Sequence, residues 1–359
     1  MPNSKHVPPK YLQLKEHLSN KIQRGELAPG DQIPSENLLA YQFQISRPTV
    51  RHALDDLENS GLIIRRQGRG AFVAHTSPRT ETIAVIVKSI TNYIFPNIID
   101  GIQEILHEAG FELLLFVSKN DSEREVQILR RLRSEKISGI IIEPAKNLGL
   151  CHTLQSFREF EQRQIPYLFI HSYLPELDPA YVILDDYRGG YLATQYLLQL
   201  GHKSIAGIFK TDLRQGLDRF NGYKKALQEY GIRTVPWWSG EYEAGHETYP
   251  FQFTQELLKR ENRPTAIVCY NDQDAIRALE AIRMAGLKVP EDISIIGYND
   301  STLTTFSEIK LTSIKHPKQE LGQEAARLII SMIQGRIEKP RLVYQPELII
   351  RSSCRRISP

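Results

Sequence analysis

Cysteine is scarce: Cys151, Cys269 and Cys354 are the three in 359 residues, and they stand far apart. That spacing excludes a disulfide scaffold and a thiolate zinc site. No apolar run approaches the ~20 residues of a membrane helix, and the opening MPNSKHVPPK has no signal-peptide apolar segment. The expectation is a soluble, cytoplasmic, nucleoid-associated protein with no membrane partner. HExxH, the phosphate-binding GxxxxGK[ST] and the GxSxG elbow are all absent, which removes the metallopeptidase, P-loop and α/β-hydrolase readings. Repeats and low-complexity segments are missing too. What is present is ordinary for a globular chain, with 41% apolar and 24% charged residues. At ~100–200 residues per domain, two or three units are expected.

The net charge of +3 is unevenly divided. The first 80 residues hold eleven Lys and Arg against seven Asp and Glu, and the remainder holds 34 against 35. A basic unit thus precedes a nearly neutral body, and a basic surface makes nucleic acid the first partner to consider. A merely solvated face would carry the same charge.

Three helical patterns open the chain. Leu14, Leu18 and Ile22 recur every four residues over Tyr11–Arg24, and Gly25 and Ala28-Pro29-Gly30 break the run. Ser35 can cap a second helix, with Glu36 in its positive first turn and Leu38, Leu39 and Phe43 on its apolar side. A third helix is predicted from Ser46 as N-cap, through Pro48, to a stop at Gly61. Val50, Ala53, Leu54 and Leu57 form its buried stripe, which leaves Arg47, Thr49 and Arg51 near its start and off the stripe. Such groups at the start of a second helix are what a major-groove reader needs, although a solvated helix face looks similar. Leu62–Arg66 and Ala71–Ala74 then flank Gln67-Gly68-Arg69-Gly70 as a hairpin, in which Arg66 and Arg69 suit phosphates or a narrow minor groove.

Pro34-Ser35-Glu36-Asn37, Ser46-Arg47-Pro48-Thr49-Val50-Arg51, Gly61-Leu62 and Gln67–Val73, in that order, resemble the GntR-family winged helix-turn-helix domain. The resemblance implies double-stranded operator DNA as partner. The implied contact set is Lys10, Ser35, Glu36, Ser46, Arg47, Thr49, Arg51, Arg66, Gln67, Gly68, Arg69 and Gly70. Within that set, Arg47 and Arg51 suit guanine edges or phosphates, Glu36 suits cytosine as an acceptor, and Lys10 suits a phosphate.

Beyond a polar connector the pattern becomes strand–helix alternation. Strands are predicted at Ile83–Val87, Glu112–Val117, Gly139–Ile142, Tyr167–His171 and Tyr181–Leu184, then at Ser204–Phe209, Ala266–Tyr270 and Ser294–Gly297. Near-continuous apolar strands imply parallel sheets covered on both faces. Two successive sets imply two lobes, with ligands beyond the carboxyl ends of the strands. Those ends carry Lys88, Tyr93, Phe95, Glu143, His171, Tyr173, Asp185, Lys210, Arg219, Asn271, Asp272, Asn299 and Asp300. Singly, the aspartates could cap helices, Arg219 could be a surface charge, and Tyr93 and Phe95 could be core. Together, hydrogen-bonding groups beside aromatics suit a small polyhydroxylated ligand. Trp237 and Trp238 either join that cleft or pack on the second lobe.

Phe95–Ile102, Asp185–Gly190, Leu200-Gly201-His202, Arg219–Tyr223, Cys269–Asp272, Val289–Asp300 and Leu311–Ile314 resemble the LacI/GalR-type effector domain, which has the periplasmic-binding-protein fold. The resemblance places Arg219 and Asn271–Asp272 at ligand contacts. Asn299 departs from the family's usual Asp and lacks a charged acceptor. A GntR head on this body, with Tyr93–Pro96, Glu143-Pro144, Gly207–Lys210 and Ser313–Pro317, resembles arabinose-responsive bacterial repressors. That resemblance implies L-arabinose as effector and adds His316 to the sugar-contacting set.

The expected fold class is therefore α/β, a winged helix-turn-helix over residues 1–74, a linker at 75–81 and a two-lobed periplasmic-binding-protein-like domain with parallel sheets over 82–359. The expected function is a sugar-responsive repressor acting as a homodimer, with no enzymatic activity, cofactor or metal. Another aldose or a purine-like ligand is the alternative effector. A transport receptor shares the body's fold, but the basic head argues against it.

Overall fold

The computed structural model describes residues 9–60, 62–66, 70–74, 81–91, 93–145, 153–233, 235–306 and 308–357. Gly61, Gln67, Gly68, Arg69, Cys151 and most of the expected linker lie outside the described residues. The chain divides into two units, Met1–Glu81 and Thr82–Pro359.

The leucine and valine stripes of the first unit become α1 (Lys10–Gln23), α2 (Glu36–Phe43) and α3 (Arg47–Asn59), followed by β1 (Ile63–Arg66) and β2 (Gly70–Val73). Leu14, Leu18, Leu39, Val50, Ala53, Leu54 and Leu57 meet in one core with Ile63 and Val73. Ser35 accepts from the Leu38 amide and Ser46 from the Thr49 amide, so both expected caps form. β1 and β2 pair antiparallel. The Ile33 amide donates to Ala71 O at 2.8 Å and the Gly30 amide to Val73 O at 3.0 Å. The connector between α1 and α2 is thereby sewn onto the hairpin, where the sequence marks only a turn.

In the second unit the chain builds β3 (Glu81–Val87), α4 (Phe95–Glu108), β4 (Phe111–Val117), α5 (Ser122–Leu132), β5 (Gly139–Ile142), α6 (Leu154–Gln162), β6 (Tyr167–Ile170) and β7 (Ala180–Leu184). It continues through α7 (Asp186–Gln199), β8 (Ile205–Lys210), α8 (Arg214–Glu229), β9 (Ser239–Tyr242), α9 (Tyr249–Leu258), β10 (Ala266–Cys269), α10 (Asp272–Met284), β11 (Ser294–Asn299), α11 (Leu303–Phe306) and β12 (Thr312–Lys315). Last come α12 (Lys318–Ile333), β13 (Arg341–Tyr344) and β14 (Glu347–Ile349).

Two sheets result, ordered β13-β7-β6-β5-β3-β4 and β14-β12-β11-β10-β8-β9. Their central pairings are parallel, and β14 runs antiparallel to β12. Parallel order follows from the buried runs: Ile83–Val87 and Ile140–Ile142 are fully covered. The chain crosses between lobes after β7, after β12 and after β13. Helix α12 belongs to the first lobe, where Leu321, Ala325 and Ile329 share a core with Ile83, Val85 and Ile98. No helix among the described residues is long and apolar enough to cross a membrane.

Helix pairs flank the sheets at close range, and glycine makes the approach possible. A Cβ on Gly322 of α12 would sit 2.1 Å from the Ile98 carbonyl of α4, and one on Gly222 of α8 would sit 2.0 Å from the Tyr187 carbonyl of α7. Gly322→Ala and Gly222→Ala are each expected to cost about 1–3 kcal/mol or more, because backbone must shift. Urea denaturation midpoints would show it, and unchanged midpoints would contradict the packing.

Candidate functional site

The head presents the start of α3. Arg47 and Arg51 are more than half exposed. Both oxygens of Glu36 accept from Arg51 Nε, at 3.1 and 3.0 Å, and Arg47 Nη2 lies 3.6 Å from Oε2. In this structure the Glu36 carboxylate holds two guanidinium groups in a fan. Ser35 and Ser46 likewise spend their hydroxyls as caps, and Ser46 Oγ also lies 2.8 Å from Thr49 Oγ1. Lys10 donates to Gln44 O at 3.1 Å, tying α1 to the turn before α3. On the hairpin, Arg66 stands 5.2 Å over the Phe72 ring, while Arg65 pairs with Asp55 and Glu58 of α3. Gly70 has φ +96, a conformation that favours glycine, at the described end of the hairpin tip.

In the body, strand ends converge on a cavity of about 1010 Å³ between the lobes. Lys88, Tyr93, Phe95, Glu143 and His171 line it from the first lobe, and Lys210, Arg219, Asn271 and Asn299 from the second. His316, at the crossing after β12, lies on the same wall. Most of these side chains follow or end a parallel strand, which is why the topology gathers them.

Two buried charge pairs dominate the wall. Glu143 Oε1 is 3.4 Å from Lys88 Nζ and 3.4 Å from His171 Nδ1. Burial opposes the Glu143 charge, but Lys88 and His171 hold the carboxyl below its usual range. Across the cavity Arg219 Nε bonds Asp186 Oδ1 at 2.8 Å, and Nη1 donates to Tyr270 O at 2.7 Å. The guanidinium lies 3.5 Å from the Tyr298 ring centroid and 4.7 Å from that of Tyr270. His316 packs edge-on to His171 at 4.9 Å, and burial, with the nearby positive groups, pushes its pKa well below the usual 6.5. Asn299 Nδ2 donates to Tyr93 Oη at 3.0 Å, a direct bond between the lobes.

Four residues expected at the strand ends lie off this wall, among them Asp300, which pairs with Arg351. Asp185 caps α7 by accepting from the Arg188 amide at 2.8 Å, and its neighbour Asp186 reaches the cavity instead. Asp272 is fully buried, accepting from Ser313 Oγ at 2.6 Å and the Ser301 amide at 2.8 Å, so it fastens β12 to the end of β11. Tyr173 stacks on Tyr181 at 4.3 Å. Asn271 reaches the wall, although its Oδ1 caps α10 by accepting from the Asp274 amide. Of the tryptophans, Trp238 packs against the second-lobe core and Trp237 is exposed. Asp186, Gln215, Tyr242 and Asp274 line the cavity without having been foreseen. Asp274, three residues after the capping Asn271, was the most findable of these.

Several buried polar atoms on the wall have no hydrogen-bond partner: Lys88 Nζ, His171 Nε2, Gln215 Oε1, Asn299 Oδ1 and His316 Nδ1. Such atoms are costly unless a partner arrives. Because the principal charges already neutralise one another, the vacant donors and acceptors fit a neutral, many-hydroxyl molecule, with Phe95 and Tyr93 available to its C–H faces.

Comparison with known proteins agrees with this geometry. Residues 10–73 match the profile of the bacterial regulatory proteins of the gntR family, and residues 194–354 match a periplasmic binding protein-like domain. The chain is 42% identical to an arabinose metabolism transcriptional repressor of Geobacillus stearothermophilus, over 97% of this chain and 98% of that protein. It is 38% identical to one of the same name from Halalkalibacterium halodurans, over 96% of each. The chain belongs to the arabinose-repressor family of transcriptional regulators. A transcriptional regulator CelR solved with cellobiose superposes with a TM-score of 0.69 at 25% identity, covering 89% of this chain and all of that one. The family is one of DNA-binding repressors with a sugar-effector body, not of enzymes.

Asp274 offers a test of the cavity's electrostatics. Both its oxygens accept from Tyr242 Oη, at 3.0 and 2.8 Å, and burial raises its pKa from the usual 3.8 to about 7. Between those two values the folded chain holds the proton more tightly than the unfolded chain. Stability therefore falls as pH rises through this window, by at most about 1.4 kcal/mol per unit. Asp274→Asn should lose less stability than the parent between pH 5 and pH 7.5 in urea denaturation. An equal loss would show that Asp274 is ionised in the fold.

Proposed function

We propose that this chain is an L-arabinose-responsive repressor of arabinose uptake and catabolism genes, acting in the cytoplasm as a homodimer. In the working division, residues 1–74 read operator DNA, 75–81 connect, and 82–359 bind sugar and dimerise. Two heads would engage a pseudopalindromic site, anchored largely by phosphates. The observation that carries the sugar reading is the set of partnerless buried atoms in a charge-paired cavity. The names of two repressors to which the chain is similar support arabinose in particular. Sugar binding draws the lobes together and lowers operator affinity; ~3 kcal/mol of coupling corresponds to about 150-fold.

A second reading, a disaccharide effector, is favoured by size. The cavity, at about 1010 Å³, sits at the top of the ~300–1,000 Å³ range for small-molecule sites. Calorimetry with L-arabinose, other pentoses, hexoses, cellobiose and purines decides between them. L-Arabinose is expected to bind and to release a duplex carrying the chain's own promoter region. If no carbohydrate alters operator affinity, the effector reading fails.

The head is tested separately. Arg66 is exposed on β1, and as a phosphate contact it should contribute about one unit to the slope of log affinity against log salt. Arg66→Ala is expected to weaken specific and random duplexes alike and to flatten that slope by about one. A loss confined to the specific duplex would make it a base reader instead.

A further inference from the structure

Lys318 is the first residue of α12, and the sequence gives it no local reason to be there. The start of a helix is its positive end, where an ammonium is disfavoured. Where a local rule is broken inside an otherwise consistent fold, a function is the usual explanation. The side chain is partly buried, and its three donors meet three backbone carbonyls: Asn299 O at 2.6 Å, Asp300 O at 3.1 Å and His316 O at 3.2 Å. Asn299 and Asp300 close β11 in the second lobe, His316 sits in the crossing, and α12 belongs to the first lobe.

The turn it grips is strained. Asn299 and Asp300 are consecutive non-glycine residues at φ +95 and +44, a conformation that persists only when its surroundings over-determine it. The second lobe supplies part of that restraint. Ser313 Oγ accepts from the Asp300 amide at 3.1 Å, and Arg351 Nη2 lies 2.7 Å from Asp300 Oδ1. Lys318 supplies restraint from the other side of the crossing. The same turn aims Asn299 into the cavity, with Nδ2 on Tyr93 Oη of the first lobe and Oδ1 buried without a partner.

We propose that Lys318 is a positioning residue: its ammonium, bridging the carbonyls of Asn299, Asp300 and His316, locks the strained turn to the lobe crossing and so sets where Asn299 meets Tyr93 and the sugar. This rests on the sugar-binding reading for its consequence, but not for the lock itself. Lys318→Met keeps the stem's length and removes the ammonium. At a helix start that change alone would be neutral or favourable, so a loss points to the carbonyl bridge.

The experiment compares the full-length parent with Lys318→Met, Tyr93→Phe and the double variant. Amide exchange without sugar is expected to quicken at least tenfold at Asp300 and Ser301 in Lys318→Met, with the β5 amides unchanged as a check on folding. L-Arabinose affinity is expected to fall at least tenfold, and the double variant should lose less than the product of the single losses, since both act through Asn299. Should Lys318→Met fold poorly, Lys318→Gln, which retains a donor on a shorter stem, is expected to show the same pattern more weakly. Unchanged exchange at Asp300 and Ser301 overturns the lock, and so do multiplicative losses. If the parent ignores L-arabinose, the effector reading fails, while the exchange result still decides the role of Lys318.

Discussion

A charge buried at the end of a strand persists only beside its opposite, and the body of this protein is arranged around that constraint. Glu143 sits between Lys88 and His171, and Arg219 sits between Asp186 and the faces of Tyr270 and Tyr298. One pair lies in each lobe, so these buried charges are balanced within their own wall. Groups that would otherwise demand a charged ligand instead fix one another's orientation. They leave their remaining donors and acceptors aimed inward. Such a wall suits a molecule recognised by the geometry of its hydroxyls rather than by its charge.

The head applies the same economy to a surface that must stay exposed. Arg47 and Arg51 could each sample many rotamers, and ordering them would oppose any contact they make. Sharing Glu36 restricts both before a partner arrives. The carboxylate also keeps a cluster of cations from repelling one another across the short turn between α2 and α3. In the structure it orders both arginines at the start of α3.

What the sequence reveals and what it hides follow from distance along the chain. Strands such as Ile83–Val87 and Ala266–Cys269 were legible because burial on both faces leaves uninterrupted apolar runs. The strands β9, β12, β13 and β14 were not. Arg341–Tyr344 alternates exposed and half-buried positions at a sheet edge, and Ser239–Tyr242 and Thr312–Lys315 are short and polar. Asp185 and Asp186 are adjacent and identical in type. Only the geometry of a helix start, with the cap turned to its own amides and the next residue turned inward, separates a structural aspartate from one on the cavity wall. At the start of α10 the alternation runs the other way, with Asp272 facing β12 and Asp274 facing Tyr242. Capping patterns name the helix start but not which neighbour faces the cleft.

The cleft's response to a ligand follows from weak links and open valences. Between the lobes, Asn299 Nδ2 bonds Tyr93 Oη and Lys318 bonds the carbonyls of Asn299 and Asp300, neutral bonds of the first kind being worth a net ~0.5–1.5 kcal/mol each. Lys88, His171, Gln215, Asn299 and His316 already hold buried polar atoms without a hydrogen-bond partner, at ~1–3 kcal/mol for each atom left so. A ligand that supplies partners from both sides at once would offset that cost. A molecule touching one wall would bind without biasing the lobes, because only contacts that differ between the two arrangements shift their populations. Under the proposed function, a ring of hydroxyls spanning Lys88 and Glu143 on one side and Arg219 and Asn299 on the other would make that difference.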